Sequence, residues 1–176
     1  PEALNSYAAF LQGMGGVLWV VRIILLATVL IHLLTTFLLF LQNYGARPVR
    51  YRVKRTREID YSARTMIYTG PIIALFVIYH LLHFTFGSLH SDFVPGDVYH
   101  IVVSGFSIWW VSAIYMVANL LLGYHLMHGL WSWFQTLGMA HPKYNAWRKR
   151  LALFFAGLII IGNLSMPIAV LAGFVK

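Results

Sequence analysis

Residues 17–42 read VLWVVRIILLATVLIHLLTTFLLFLQ, a run in which Arg22 and His32 are the only ionisable side chains. A helix of this length rises roughly 39 Å at ~1.5 Å per residue and crosses a hydrocarbon core of ~30 Å. An apolar run this long exceeds what a soluble core helix uses, so it predicts a transmembrane helix. The rest of the chain agrees. Of its 176 residues 60% are hydrophobic and 10% charged, against about 25% charged in a soluble domain, and the mean hydropathy is +0.73. Such a composition excludes a soluble globular domain, a disordered chain and a nucleic-acid module; no nucleic-acid partner is expected.

Three further apolar stretches, 66–86, 98–135 and 151–174, complete the expected fold, an all-α transmembrane bundle of four spans in a single domain. The third stretch is longer than a bilayer requires, which predicts a tilt or a projection beyond it. Residues 1–16 form a mildly amphipathic lead-in without the basic region or cleavage site of a signal peptide. Between the second and third spans, residues 87–97 form a polar turn that contains Asp92 and Asp97 but no Lys or Arg.

The net charge of +8 has a clear distribution. Seven basic residues, Arg47, Arg50, Arg52, Lys54, Arg55, Arg57 and Arg64, lie between the first and second spans, and four, Lys143, Arg148, Lys149 and Arg150, between the third and fourth. In a hairpin topology these 11 of 13 basic groups share one side, which the positive-inside rule makes cytoplasmic. The chain has no cysteine, which excludes thiolate metal sites, iron–sulfur ligation and c-type haem attachment by this chain. A redox centre held here would use histidine or methionine.

Histidines inside apolar spans are costly and call for a role. Three successive spans each contain one well inside: His32, His80 and His125. His32 lies ten residues before Gln42, and His125 ten before Gln135. On two helices running the same way, both rings then stand ~15 Å from the helix ends, at matching depth. Two neutral imidazoles facing one another suit axial ligation of haem iron. His80 lies nearer the outer end and cannot share that haem. His83 and His128 follow His80 and His125 by three, on the same helical faces. Such His-x-x-His pairs are also compatible with zinc or copper, although no carboxylate or cysteine accompanies them. His90, His100 and His141 fall in or near loops and read as solvated. No acid lies within a span, so acid–base catalysis in the membrane has little to work with.

Four pieces in order, EALNSYAAFL (2–11), LIHLL around His32, the YTG and FVIYHLLHF runs around His80, and HLMHGLWSWFQTLG (125–138), resemble the dihaem cytochrome b membrane anchors of bacterial succinate:quinone oxidoreductases. The resemblance covers essentially the whole chain. It implies five spans with haem held between helices, the first span and its histidine preceding this sequence. It also implies that His32 and His125 ligate a proximal haem b, with His80 and the missing histidine ligating a distal one. Electrons would pass between a flavoprotein subunit carrying FAD, an iron–sulfur subunit, the two haems and menaquinone or another quinone. The anchor would sit in the bacterial inner membrane among lipids, in a complex compatible with homo-oligomeric association, with no succinate chemistry of its own.

Within that frame, Ser62, Arg64, Ser132 and Gln135 are expected near the proximal haem propionates, with His83 and His128 in supporting or propionate-facing positions. Arg22 is expected near the distal haem or a lipid headgroup, and Glu2 as a proton acceptor at a quinone site. The sequence departs from some fumarate-reducing relatives in one respect: a glutamate two residues before the ligand corresponding to His125 is here Gly123. Two other readings are a cytochrome b subunit of a formate dehydrogenase or hydrogenase, and a metal transporter using the His-x-x-His pairs.

Overall fold

The computed structural model describes residues 1–46 and 61–176. The basic connector from Arg47 to Arg57 and the side chain of Ser62 lie outside the described residues. Among the described residues all regular structure is helical, and the fold is all-α. The chain divides into two units, Pro1–Thr56 and Arg57–Lys176.

The first unit holds α1 (Glu2–Gly13) and α2 (Gly16–Gly45). Three threonines in α2 have hydroxyls that a lipid environment would leave unsatisfied, and each turns back onto its own helix. Thr28 donates to the Ile24 carbonyl at 2.7 Å, Thr35 to Ile31 at 2.8 Å and Thr36 to His32 at 2.8 Å. This back-bonding lets a helix with polar side chains remain compatible with a membrane.

The second unit comprises α3 (Tyr61–His80), a π-helical turn at Leu81–Thr85, α4 (Val98–Ser107), α5 (Trp109–Thr136) and α6 (Pro142–Leu171). Helices α3 and α5 run antiparallel, because Thr69 meets His125 while Phe76 and Tyr79 meet Tyr115. Helices α5 and α6 are also antiparallel. Asn163 donates to Asn119 at 2.8 Å, Asn119 in turn donates to the Tyr115 carbonyl at 2.8 Å, and Arg148 reaches the Trp131 carbonyl. At Gly123 the Ile160 side chain of α6 fills the space a Cβ would take, since a Cβ there would clash with Cδ1 of Ile160. The core gathers where α4, α5 and α6 converge, around Phe106, Val111, Tyr115 and Val170.

Among the described residues, four helical stretches are long and apolar enough to cross a membrane: Gly16–Gly45, Ala63–Thr85, Trp109–Thr136 and Pro142–Leu171. The third span corrects the sequence expectation. Residues 98–135 are two helices separated at Ile108, whose backbone is extended (φ −83°, ψ 108°). The break keeps its polar groups paired inside: the Ser112 hydroxyl donates to the Phe106 carbonyl at 2.6 Å, and the Ser112 amide donates to the Ile108 carbonyl at 3.1 Å. Helix α5 alone, at 28 residues, rises about 42 Å and crosses without residues 98–107. The fourth helix begins earlier than expected, at Pro142, where the His141 ring accepts from the Lys143 amide at 3.2 Å and proline fits the first helical position. The second basic connector is therefore largely the first turns of α6.

Candidate functional site

The site is built from the inward-facing side chains of α3 and α5. At one level, Thr69 is 2% exposed and its hydroxyl lies 3.4 Å from Nδ1 of His125. Gly70 brings the α3 backbone alongside that ring, since a Cβ there would be 3.9 Å from Cε1 of His125. An imidazole whose Nδ1 is held by a neighbour has a fixed ring plane and a favoured tautomer, as metal-ligating histidines require.

A second level lies further along the pair. His80 packs among Phe76 (ring centroids 6.2 Å apart), Phe84 (5.8 Å) and Tyr115 (5.9 Å). Tyr115 precedes His125 by ten residues on α5, and Thr69 precedes His80 by eleven on α3. Both counts separate the two histidines by roughly 15–16 Å along the helices. His80 and His125 therefore occupy different levels and cannot serve one iron. An apolar groove of about 460 Å³ runs between α3 and α5 at the His80 level, its lining including Leu75, Phe76, Tyr79, Ile114 and Val117.

The π-helical turn follows His80 directly; its i→i+5 bond runs from the Phe86 amide to the Leu81 carbonyl at 2.9 Å. It carries His83, which is 2% exposed. Nδ1 of His83 lies 3.1 Å from the Tyr115 hydroxyl, and Nε2 lies 3.1 Å from Nδ1 of His90. Nε2 of His90 lies 3.0 Å from the Ser104 hydroxyl, which donates to the His100 carbonyl at 2.7 Å. The result is a continuous polar chain from the core of the bundle to the 87–97 loop. Gly105 makes room for it, because a Cβ there would stand 3.0 Å from Cε1 of His90 and 3.1 Å from Cε1 of His83.

One expectation changes here. His90 was expected to be solvated, yet it is buried at 9% exposure. Burial pushes its pKa below the usual histidine range, with His100 acting in the same direction and Asp92 opposing. His83, expected in a supporting or propionate-facing position, has both ring nitrogens within hydrogen-bond reach of Tyr115 and His90. His100 lies near the surface and pairs with Asp92 at 2.8 Å. Neither Gly105 nor Ser104 stood out in the sequence; the small-polar run SGFS at 104–107 was the available signal.

The other expected residues are placed as follows. His32 lies in α2, in the first unit, and its carbonyl accepts from Thr36. In the same unit Glu2 is exposed in the first turn of α1, and the Arg22 guanidinium lies 5.2 Å from the Trp19 ring. Arg64 is exposed in the first turn of α3, and His128 is half-buried on α5. Ser132 donates to the Gly129 carbonyl of its own helix at 3.2 Å, and Gln135 is exposed at the end of α5.

Fold and site together define an all-α multi-pass membrane protein with histidines at separate levels inside its spans. Compared with known proteins, the chain matches no family model, no curated protein and no solved structure.

Proposed function

We propose that this chain is a membrane-embedded electron carrier, the haem b-binding anchor of a succinate dehydrogenase or fumarate reductase. In this reading it lies in a bacterial inner membrane with its basic segments on the cytoplasmic side. The observation that carries the proposal is the placement of His80 and His125 on adjacent spans about 15 Å apart along the helices. Histidines at these two levels could each hold a redox group in the low-dielectric interior, which would supply one-electron transfer there.

The residues fit haem b. Imidazoles are ligands this cysteine-free chain offers inside its spans, and His125 has the Nδ1 contact that orients a ligating ring. Bound haem iron supplies one-electron chemistry at a potential set by its ligands and surroundings. Within this reading His32 is a haem ligand on the resemblance alone, Thr69 positions His125, and Phe76, Phe84 and Tyr115 pack against the His80 ring. Glu2 accepts a proton at a menaquinone or other quinone site, and partner subunits hold FAD and iron–sulfur clusters. The arrangement disfavours an ion shared by His80 and His83, since His83 uses both ring nitrogens elsewhere.

The test is purification of the membrane complex followed by a reduced-minus-oxidised spectrum. The expected result is a low-spin b-type signal, reducible by succinate or by a quinol, together with co-purifying flavoprotein and iron–sulfur subunits. A complex without b-type haem overturns the proposal. Haem together with partners that oxidise formate or hydrogen reassigns the complex while keeping the electron-carrier role.

A further inference from the structure

At the junction of α5 and α6, the side chain of Arg148 is 1% exposed. Its guanidinium donates through Nη1 to Oδ1 of Asn145 at 2.9 Å and through Nη2 to the Trp131 carbonyl at 3.1 Å. It lies 4.4 Å from the Trp131 ring centroid and 5.7 Å from that of Phe134. Its Nε is buried without an acceptor. Among the described residues no carboxylate accompanies it. Neutral partners and aromatic faces hold the guanidinium in place, but they do not neutralise its charge, and a buried charge without a counter-ion is costly.

Beside Arg148 is a pocket of about 380 Å³ whose lining includes Phe134, Met139, His141, Tyr144, Trp147 and Arg148 itself. Its walls are largely aromatic and its cationic group is Arg148. The pocket sits where one membrane-spanning helix ends and the next begins. Trp131, Trp133, Tyr144 and Trp147 gather there, side chains that favour the membrane–water boundary. Lys143, Lys149 and Arg150 lie on the same first turns of α6. Of the described acids in this unit, Asp97 caps α4 and Asp92 pairs with His100, at the far end of α5.

We infer that this pocket binds an anionic phospholipid, with the headgroup phosphate as counter-ion to Arg148 and the glycerol and upper acyl segments against Phe134, Tyr144 and Trp147. Phosphate matches the guanidinium in charge and in hydrogen-bond geometry. The aromatic walls at the boundary favour an amphiphile over a free ion, and basic pockets between spans suit such headgroups. The inference does not depend on haem.

The test uses the full chain in nanodiscs of phosphatidylcholine with or without phosphatidylglycerol, reading retained phosphatidylglycerol by native mass spectrometry. Wild-type protein and Arg150→Gln are expected to retain it, while Arg148→Gln weakens retention by about tenfold or more, the factor for losing a charged hydrogen bond. Met139→Trp, which fills the pocket without altering the guanidinium, is expected to do the same; it decides the matter should Arg148→Gln fail to fold. Retention unchanged in Met139→Trp, or lost equally in Arg150→Gln, overturns the site. Displacement of the lipid by inorganic phosphate alone shows a small-anion site and overturns the lipid assignment.

Discussion

The Thr69 hydroxyl stands 3.4 Å from Nδ1 of His125 and ties α3 to α5 at one of the two histidine levels. Thr69 is almost wholly buried, so this contact is part of the packed interface. If His125 ligates iron, losing a partner of this kind costs about 10–100-fold in affinity. Thr69→Val keeps the shape and removes the hydroxyl. Haem retention at the His125 level should then fall by about tenfold or more in a competition assay with apomyoglobin, with the His80 level unchanged. Equal losses at both levels would show a general packing defect.

Tyr115 and His83 are coupled across α5 and the π-helical turn at 3.1 Å. Tyr115→Phe leaves a buried imidazole nitrogen without its partner and should cost about 1–3 kcal/mol in detergent unfolding. Adding His83→Leu should cost less than the sum of the two single changes, because the orphaned group is gone. Strict additivity would mean the pair is not coupled.

His90 gives stability a pH dependence with a defined sign. Unfolded histidine titrates near ~6.5, and burial holds His90 below that value in the fold. Above about pH 6.5 both states are neutral and this residue contributes no slope. As pH falls through that value the unfolded chain takes up a proton that the folded chain resists, so stability drops until the folded pKa is passed. Thermal unfolding between roughly pH 7.5 and 5.5 should show this drop in wild-type protein and a smaller one in His90→Gln. Parallel curves for the two proteins would contradict the burial.

Gly123 lies on α5 against α6, and the structure gives a packing reason for glycine there. Any Cβ would meet Ile160. Gly123→Val should destabilise the α5–α6 pair by about 1–3 kcal/mol, and Ile160→Ala in the same chain should recover part of the loss. Unfolding in mild detergent with a chaotrope reads both; a neutral Gly123→Val would show that the helices are not closely packed there.

The spans were legible because an apolar run of bilayer length carries its own signal. Helix ends were less so. The break at Ile108 lies within SGFSIWW, a stretch without proline, and Ser112, whose hydroxyl serves the Phe106 carbonyl, marks it in retrospect. The positions of His80 and His125 at different levels followed from counting residues along helices. The burial of His90 did not, because it depends on a π-helical turn that presents His83 and on Gly105, which leaves space for both rings. Arg148 read as one more basic connector residue. Its burial follows from where α6 starts, at a His-Pro cap whose proline was in plain view.

The central claim is that His80 and His125 serve separate haem levels. It is tested most directly by counting haem b in the purified complex after single substitutions. His125→Ala should remove one haem and leave the other, His80→Ala should remove the opposite one, and His128→Ala should leave both. Loss of the same haem in His80→Ala and His125→Ala, or its loss in His128→Ala with His125→Ala unaffected, would contradict the account.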